Sequence, residues 1–286
     1  MNTVFLNGEY MPIEEAKISP LDRGFLFGDG IYEVIPSYFG KMVGFYGHIN
    51  RMVDGLNTIG IELNWPLSQW QNLCVKLSKK NGGGPLGIYL HVTRGTDNKR
   101  FHAFPNNVTP TVFAMVFNIP VPQTPDLATV GKGYSLVSSE DLRWKRCHIK
   151  SISLLGNVLH FQEGYEAGCQ ETLLYNSHQE LTEASSSNIF IVKNGTIATP
   201  IQDNQILPGI TRRLVIDIIA KDGSLSLEER IITLDEVNSA DEIWITSSSK
   251  EIAPVTLLDN KKVGEGNVGP VWLKAATLYS NNKFSY

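Results

Sequence analysis

The chain has 286 residues, of which 42% are hydrophobic and 19% are charged, and its formal net charge is −4. This length suffices for one large domain or two medium ones, and the acidic balance excludes a strongly basic surface for nucleic acid or an anionic membrane. The three cysteines lack zinc-binding spacing, and the sequence shows no targeting segment or membrane-spanning window, so we expect a reduced, cytoplasmic protein.

The first part of the chain alternates short apolar strands with amphipathic helices. Asn7-Gly8 predicts a hairpin turn between strands at residues 4–6 and 10–11. Further strands are predicted at 30–36, 41–45, 87–94 and 111–119, and helices at 47–59 and 68–80, with Ser68 as a candidate cap of the second helix. This alternation indicates a small α/β domain over residues 1–118.

A proline-rich segment then interrupts the chain at Pro120, Pro122 and Pro125. Prolines at this density cannot lie inside a packed element, so we predict an interdomain linker over residues 119–126. In the second predicted domain, 127–286, strands are expected at 134–138, 172–175, 188–192 and 242–246, and helices at 151–168, 211–221 and 271–281. The predicted fold class is α/β (α+β), with a small N-terminal and a larger C-terminal domain.

Lys150 is a candidate for covalent chemistry. It follows the cationic run Arg143-Trp-Lys-Arg and opens an apolar stretch with helical spacing. Neighbouring positive charge and partial burial both disfavour the ammonium form, and only the free amine attacks a carbonyl to form a Schiff base. A solvated lysine at the start of a helix is the alternative that this stretch leaves open.

Glu183 and a later helix start have complementary properties. Glu183 precedes three serines, where a carboxylate can cap local amides or hold a heterocyclic nitrogen protonated. Gly209-Ile210-Thr211 begins a predicted helix, whose free amides and dipole attract an anion. Ser247 and Ser248 follow a predicted strand and offer hydroxyls to the same kind of anion. Each feature is weak when taken singly, because serine-rich turns are common.

Four further residues have both a structural and a functional interpretation. Arg51 can contact a phosphate or be a surface charge on its helix. Arg100 and His102 can form a two-pronged receptor for a carboxylate or a basic surface loop. Tyr32 can be a core aromatic or a phenol in a cleft. The sequence has no G-x-S-x-G, H-E-x-x-H, P-loop or G-x-G-x-x-G motif, and its histidines lack ligand spacing, so we expect no metal site.

The ordered set of motifs resembles the class IV, fold-type IV pyridoxal-phosphate aminotransferases over nearly the whole chain. The loop containing Arg100-Phe-His102-Ala-Phe-Pro and the segment from Asp141 to Ser151 resemble the subgroup that acts on D-amino acids. The family motifs are Asp22-Arg-Gly-Phe-Leu-Phe-Gly-Asp-Gly-Ile-Tyr-Glu-Val, His48-Ile-Asn-Arg, Lys150-Ser-Ile-Ser-Leu-Leu-Gly-Asn, Glu183-Ala-Ser-Ser-Ser-Asn-Ile-Phe, Leu207-Pro-Gly-Ile-Thr-Arg and Ile245-Thr-Ser-Ser-Ser.

The resemblance implies a role for each candidate residue. Lys150 binds pyridoxal 5′-phosphate as a Schiff base and carries protons during transamination, and Glu183 pairs with the ring nitrogen. Arg143 contacts the phenolic oxygen of the ring. The α-carboxylate of a D-amino acid is bound by Tyr32, Arg100 and His102. The phosphate is held by Arg51, Ile210, Thr211, Ser247 and Ser248.

The same resemblance implies partners and leaves alternatives. It implies ping-pong exchange between D-amino acids and 2-oxo acids such as pyruvate and 2-oxoglutarate. It also implies a homodimer in which the carboxylate loop reaches the neighbouring subunit's site. A branched-chain L-amino acid aminotransferase, an (R)-amine transaminase and a 4-amino-4-deoxychorismate lyase are the alternatives, and Arg100 with His102 argues against the first. Pro36 departs from the longer, often basic residue of relatives, which leaves the side-chain preference open.

Overall fold

The chain folds into two compact units. The computed structural model describes residues 3–122, 124–128 and 130–286, so Gln123 and Thr129, in the predicted linker and second domain, lie outside the described residues. The first unit comprises Met1–Val121 and Ile149–Leu154, and the second comprises Pro122–His148 and Leu155–Tyr286. The segment that carries Lys150 therefore packs with the first unit, whereas the sequence assigned it to the second domain. The predicted domain boundaries stay a prediction.

The first unit is built on a six-stranded sheet in which every neighbouring pair of strands is antiparallel. The strand order is β2-β1-β6-β5-β3-β4. Its strands are β1 (Thr3–Leu6), β2 (Glu9–Pro12), β3 (Gly30–Tyr38), β4 (Lys41–Met42), β5 (Pro85–Thr93) and β6 (Thr111–Asn118), and its helices are α1 (Arg23–Phe27), α2 (Phe45–Thr58) and α3 (Leu67–Lys80).

The two faces of this sheet have different surroundings. Side chains alternate along a strand, so one face of β3 presents Ile31 and Ile35. These isoleucines share a buried apolar cluster with Ile88 of β5, Met52 of α2 and Leu77 of α3. Helices α2 and α3 therefore cover this face, and residues 32, 34 and 36 of β3 point to the other one.

The described part of the second unit contains a nine-stranded mixed sheet and four α-helices. The strand order is β12-β11-β10-β13-β14-β7-β8-β9, with β15 paired to β14, and β7 has parallel neighbours on both sides. Its strands are β7 (Tyr134–Glu140), β8 (Glu171–Tyr175), β9 (Leu181–Ala184), β10 (Asn188–Lys193), β11 (Thr196–Thr199), β12 (Ser226–Glu229), β13 (Glu242–Ser247), β14 (Glu251–Leu258) and β15 (Lys261–Lys262), and its helices are α4 (Leu155–Glu166), α5 (Ile210–Asp222), α6 (Leu234–Asn238) and α7 (Pro270–Asn282).

The mixed α/β class and most of the predicted elements are confirmed. The Asn7-Gly8 hairpin joins β1 to β2 as expected. The strand predicted at 41–45 is shorter, because Gly44 is left-handed and α2 begins at Phe45. The prediction that Ser68 caps a helix is wrong, since α3 begins at Leu67 after Pro66 and has no side-chain cap.

The helix predicted from residue 151 begins four residues later, at Leu155. The preceding segment is extended because it pairs with the start of β3. The N–H of Tyr32 donates to the carbonyl of Lys150, and the N–H of Ile152 donates to the carbonyl of Gly30, both at 3.1 Å. Lys150 therefore lies beside a strand, and the prediction that it opens a helix is wrong.

Three further properties concern the described part of the chain. None of its helices is both long and apolar enough to cross a membrane. Its His, Cys, Asp and Glu side chains form no group of three that could hold a metal ion. Cys74, Cys147 and Cys169 are all free thiols.

Candidate active site

Lys150 lies beside β3, and its side chain contacts an aromatic ring. The Nζ atom lies 4.1 Å from the centroid of the Tyr32 ring, and the lysine is half-buried. Gly28 allows this segment to approach α1, because a Cβ on Gly28 would lie 2.3 Å from Oγ of Ser153. Two predicted site residues, Lys150 and Tyr32, are thus brought together by the pairing of their backbones.

The face of the sheet around Tyr32 carries further aromatic and imidazole groups. The Tyr89 ring lies 5.7 Å from the Tyr32 ring, and the Tyr89 hydroxyl is hydrogen-bonded to Nδ1 of His91 at 2.8 Å. Burial raises the pKa of Tyr89 to about 12 and lowers the pKa of His91. Both groups are therefore neutral near pH 7, and Tyr89 places a ring next to Tyr32, which contacts Lys150.

Arg51 is bound to a buried carboxylate that sequence reasoning missed. Glu33, on the covered face of β3, accepts from Nε and Nη2 of Arg51 at 2.6 and 2.8 Å and contacts Nδ1 of His48 at 2.7 Å. Burial opposes ionisation of Glu33, yet the charges and hydrogen bonds of Arg51 and His48 hold the pKa of Glu33 well below its ordinary range. The pair is therefore ionised, and it fixes the Arg51 side chain.

Arg100 and His102 lie in an exposed loop and converge on one ring, that of Phe27 in α1. The guanidinium carbon of Arg100 lies 5.2 Å from the centroid of the Phe27 ring, and the His102 ring lies 5.2 Å from it. The two residues predicted to bind a carboxylate are therefore assembled on a shared aromatic surface. Tyr32, the third predicted member, belongs to the group around Lys150.

Glu183 is buried in β9 and accepts three hydrogen bonds. Its Oε1 accepts from Nη1 of Arg143 at 2.7 Å, and its Oε2 accepts from Nδ2 of Asn188 and the N–H of Leu207, both at 3.0 Å. Burial raises the pKa of Glu183 to about 7, and the positive charge of Arg143 only partly opposes this rise. A raised pKa on a buried carboxylate with specific partners is a feature of functional sites.

Arg143 divides its guanidinium between two carboxylates. Nε and Nη2 donate to the two oxygens of Asp141 at 3.0 and 2.7 Å, while Nη1 donates to Glu183. Burial would raise the pKa of Asp141, but the hydrogen bonds and charge of Arg143 hold that pKa below its ordinary value. The group thus has one cation and two acids, and its net charge is −1 when both acids ionise. The predicted contact of Arg143 with a phenolic oxygen stays a prediction.

Asn188 joins Glu183 to the start of α5. Its Nδ2 donates to Oε2 of Glu183 and also to the carbonyl of Leu207, at 2.9 Å. Gly209 must be a glycine here, because a Cβ would lie 1.9 Å from Oδ1 of Asn188. Helix α5 then begins at Ile210 without a side-chain cap, so its first amides are available to an anion.

Ser247 and Ser248 lie where β13 ends and are half-buried. The turn after them is held by Lys250, whose Nζ lies 3.1 Å from an oxygen of Glu171, a carboxylate with no exposed surface. Glu171 also accepts from the hydroxyls of all three serines that follow Glu183. The serine turn after Glu183 and the turn after β13 therefore share one buried ion pair.

The structure arranges the predicted site residues in separate groups. Lys150 contacts the ring of Tyr32, and Arg51 is ion-paired with Glu33. Arg100 and His102 both contact the ring of Phe27. Glu183 lies with Arg143, next to the helix start at Ile210 and Thr211. Sequence reasoning missed the contacting residues Glu33, Asp141 and Asn188. Two signals were available in the sequence. Glu33 is a charged residue between Ile31 and Ile35, and Asn188 is an amide at the start of an otherwise apolar strand.

Comparison with known proteins gives consistent matches along the chain. The family pattern described as Amino-transferase class IV matches residues 30–258. A D-alanine aminotransferase of Staphylococcus aureus (strain COL) is 39% identical over 272 residues, which cover 95% of this chain and 94% of the relative. A D-alanine aminotransferase of Staphylococcus epidermidis (strain ATCC 12228 / FDA PCI 1200) is 38% identical over 271 residues, with the same coverage of 95% and 94%.

Among solved structures, the T.th. branched-chain amino acid aminotransferase with pyridoxamine 5′-phosphate superposes with a TM-score of 0.90. It is 25% identical to this chain, and the match covers 99% of this chain and 94% of that one. The sequence relatives and the fold therefore span nearly the whole protein, and the family pattern spans residues 30–258. The chain belongs to the class IV aminotransferases.

Proposed function

We propose that this protein transfers amino groups between D-amino acids and 2-oxo acids, with pyridoxal 5′-phosphate as cofactor, in two successive half-reactions. The sequence relatives named D-alanine aminotransferase support this choice of substrate. The structural observation that carries the proposal is the group of Asp141, Arg143 and Glu183, whose net charge is −1 once Glu183 ionises. A protonated heterocyclic nitrogen at Glu183 would neutralise that group.

The hydrogen bonds of Glu183 leave room for such a nitrogen. A carboxylate offers about four acceptor positions, two on each oxygen. Oε2 already accepts from Asn188 and Leu207, while Oε1 accepts only from Arg143 among the residues that the structure describes. A ring N–H would donate to the remaining position on Oε1. Glu183 would thereby hold the ring nitrogen protonated, which strengthens the ring as an electron acceptor.

The phosphate end of the cofactor would lie at the start of α5. The amides of Ile210 and Thr211 and the Thr211 hydroxyl offer donors there, with the positive end of the helix dipole. We assign Ser247 and Ser248 to the same phosphate. Arg51 would contact the same phosphate, and its bonds to Glu33 would keep the guanidinium in one orientation.

Lys150 would be the catalytic residue. When bound, pyridoxal phosphate supplies an aldehyde that takes up the amino group and a ring that accepts electrons released at the substrate α-carbon. Lys150 would hold the cofactor covalently until the substrate amine displaces it. The freed amine would then take the proton from the α-carbon and deliver it again as general base and acid.

Substrate selection would rest on the α-carboxylate. Arg100 and His102 present two donors from the surface of Phe27, and a guanidinium with an imidazole suits a carboxylate. Tyr32 would supply a hydroxyl from the side of Lys150. A simple amine lacks the carboxylate, so it would gain nothing from these donors.

We also propose that the working form is a cytoplasmic homodimer. Helix α4 exposes Leu155, Val158, Leu159 and Tyr165, with 57% or more of each side chain accessible. Leu142, 77% exposed, lies beside this helix, since its N–H donates to Nε2 of His160. An apolar patch of this kind suits a second copy of the chain. The free thiols suit a reducing compartment.

A half-reaction screen tests the proposed activity. Holoenzyme is mixed with D-alanine, L-alanine, D-leucine, L-leucine or (R)-1-phenylethylamine, and the absorbance of the bound cofactor is followed. We expect both D-amino acids to convert the cofactor to its amino form, and pyruvate to reverse the change. Conversion by L-leucine in preference to D-leucine, or by the amine alone, would contradict the proposal.

A single variant connects the screen to the carboxylate receptor. Arg100→Ala should raise the KM for D-alanine by about tenfold or more, because a charged hydrogen bond contributes about 1.5–3 kcal/mol. The same variant should leave conversion by the amine nearly unchanged. Equal losses for both substrates would argue against the assigned role of Arg100.

A further inference from the structure

Two side chains of α1 hold the loop that carries Arg100 and His102. Arg23 and Phe27 lie one helical turn apart, so both point to the same side of this short helix. The loop over residues 97–110 has no strand or helix of its own. Its backbone carbonyls therefore have no ladder partners there, and contacts of its residues with α1 and with Arg94, which lies 3.6 Å from the Phe104 ring, hold its shape.

Arg23 is almost fully buried and binds the loop backbone directly. Its Nη1 donates to the carbonyl of Phe101 at 2.6 Å, and its Nη2 donates to the carbonyl of His102 at 3.2 Å. The Nε atom of the same guanidinium donates to Asp29 at 2.8 Å, a carboxylate that Arg23 shares with Arg94. One planar cation thus fixes two successive carbonyls between Arg100 and the residue after His102.

Phe27 orients the two functional side chains. Three cationic or imidazole groups surround its ring, namely Arg23 at 4.9 Å, Arg100 at 5.2 Å and His102 at 5.2 Å. Cation–π and aromatic contacts of this kind contribute about 0.5–1.5 kcal/mol each. Packing against this ring therefore orients the exposed side chains of Arg100 and His102 in the same direction.

We propose that Arg23 and Phe27 are positioning residues that set the aim of the Arg100–His102 pair, and so determine how strongly the enzyme requires an α-carboxylate. The inference rests on the proposed function, in which this pair receives the carboxylate. Neither Arg23 nor Phe27 needs to touch the substrate. Their effect is to order beforehand two side chains that would otherwise be free to turn, which reduces the cost of binding.

The test compares Phe27→Leu and Arg23→Lys with Phe25→Leu, a matched control on the same helix whose side chain is 70% exposed. Hydrogen–deuterium exchange of the peptide covering residues 99–103 is measured on each holoenzyme. The KM and kcat for D-alanine and the occupancy of the cofactor are measured on the same samples. The exchange rate reports how firmly the loop is held, and this readout does not depend on enzymatic activity.

We expect Phe27→Leu and Arg23→Lys to speed exchange of this peptide by about tenfold, the loss of roughly one such contact. The KM for D-alanine should rise by about the same factor, with kcat within about threefold and cofactor occupancy unchanged. Phe25→Leu should behave as the wild type. Unchanged exchange in both variants would overturn the inference, as would a parallel fall of kcat and cofactor occupancy without a change in KM. If the wild type does not act on D-alanine but both variants still exchange faster than the wild type, the positioning role of Arg23 and Phe27 is supported and the proposed function is wrong.

Discussion

Glu33 and Glu183 are both buried carboxylates bound to an arginine, yet their pKa values move in opposite directions. Burial would raise both, but Arg51 donates two hydrogen bonds to Glu33 and holds its pKa well below the ordinary range. Glu183 receives one bond from Arg143, and burial raises its pKa to about 7. The difference lies in the partners, because Arg143 also donates two bonds to Asp141, whereas Glu33 has His48 as a second partner beside Arg51.

The comparison separates two uses of a buried acid. Glu33 has a complete counter-charge and orients an arginine, so it needs no further partner. Glu183 shares the positive charge of Arg143 with Asp141, so these three side chains together lack one positive charge when both acids are ionised. A protonated cofactor nitrogen would supply that charge, and removing each arginine or acid in turn tests this idea.

The largest effect should come from removing Arg51. Arg51→Met removes the guanidinium from Glu33 and leaves this buried carboxylate in contact with the imidazole of His48. We expect a loss of about 3–5 kcal/mol in the free energy of unfolding of the apoprotein at pH 7, measured with urea. Arg213→Met is the control, because the Arg213–Asp217 pair is 3.7 Å long with a 75% exposed arginine, and its loss should cost less than about 1 kcal/mol. Similar losses for the two variants would contradict the account.

Replacing Glu183 should lower the enzymatic activity and leave the protein folded. Glu183→Gln keeps the volume but cannot hold a ring nitrogen protonated. We expect the rate of the D-alanine half-reaction to fall by about 10²–10³, as when one preorganised electrostatic partner is removed. Stopped-flow absorbance of the holoenzyme measures this rate. A fall of less than about threefold would show that Glu183 has no such role.

The pH dependence of stability gives a third test. The pKa of Glu183 is about 7 in the folded apoprotein against 4.5 as its ordinary value, so the folded state holds an extra proton between these values. Relative to Glu183→Gln, the stabilisation is fully present below pH 4.5 and is lost as pH rises through 7, by roughly 3 kcal/mol. Urea unfolding of both proteins from pH 4.5 to 8 measures the difference.

Asp141→Asn should weaken that pH dependence. It leaves the charge of Arg143 to Glu183 alone, which makes Glu183 resemble Glu33. We expect the loss of stability between pH 4.5 and 7 to shrink by at least half in this variant. A pH profile identical to that of the wild type would show that sharing of Arg143 does not set the pKa of Glu183.

The smallest effect should come from Asn188→Ala, which removes the bond between Glu183 and the start of α5. We expect the Kd of pyridoxal phosphate to rise by about tenfold, since a hydrogen bond to a charged group contributes about 1.5–3 kcal/mol. Asn204→Ala is the control, because Asn204 is an exposed amide that donates to the carbonyl of Lys145. Titration of apoprotein with the cofactor measures both constants, and equal constants would contradict the linking role of Asn188.

The sequence alone was sufficient for much of the fold, because hydrophobic periodicity and turn residues act locally. Strands such as β3 and β10 and helices such as α5 and α7 lie where the patterns predicted them. The surroundings of Lys150 were not predictable in this way. An apolar stretch after a lysine is compatible with a helix, and only pairing with β3, far away in the chain, decides that it is extended.

The residue types of the candidate site were recognisable from motifs, whereas their charge balance was not. Glu183 and Arg143 were both singled out, but their contact joins positions 40 residues apart. Glu171 and Lys250 are 79 residues apart. Such pairs depend on which strands become neighbours, and a motif contains no information about that. The division of one arginine between two acids is therefore decided by the tertiary fold.

The most direct measurement is the protonation of the cofactor's ring nitrogen in the bound state. Nitrogen-15 NMR of holoenzyme prepared with ring-labelled pyridoxal phosphate reports it for the wild type and Glu183→Gln. The account predicts a protonated nitrogen in the wild type from pH 6 to about 9, because the group around Glu183 requires one positive charge, and an unprotonated nitrogen in the variant. An unprotonated nitrogen in the wild type at pH 7 would contradict the account.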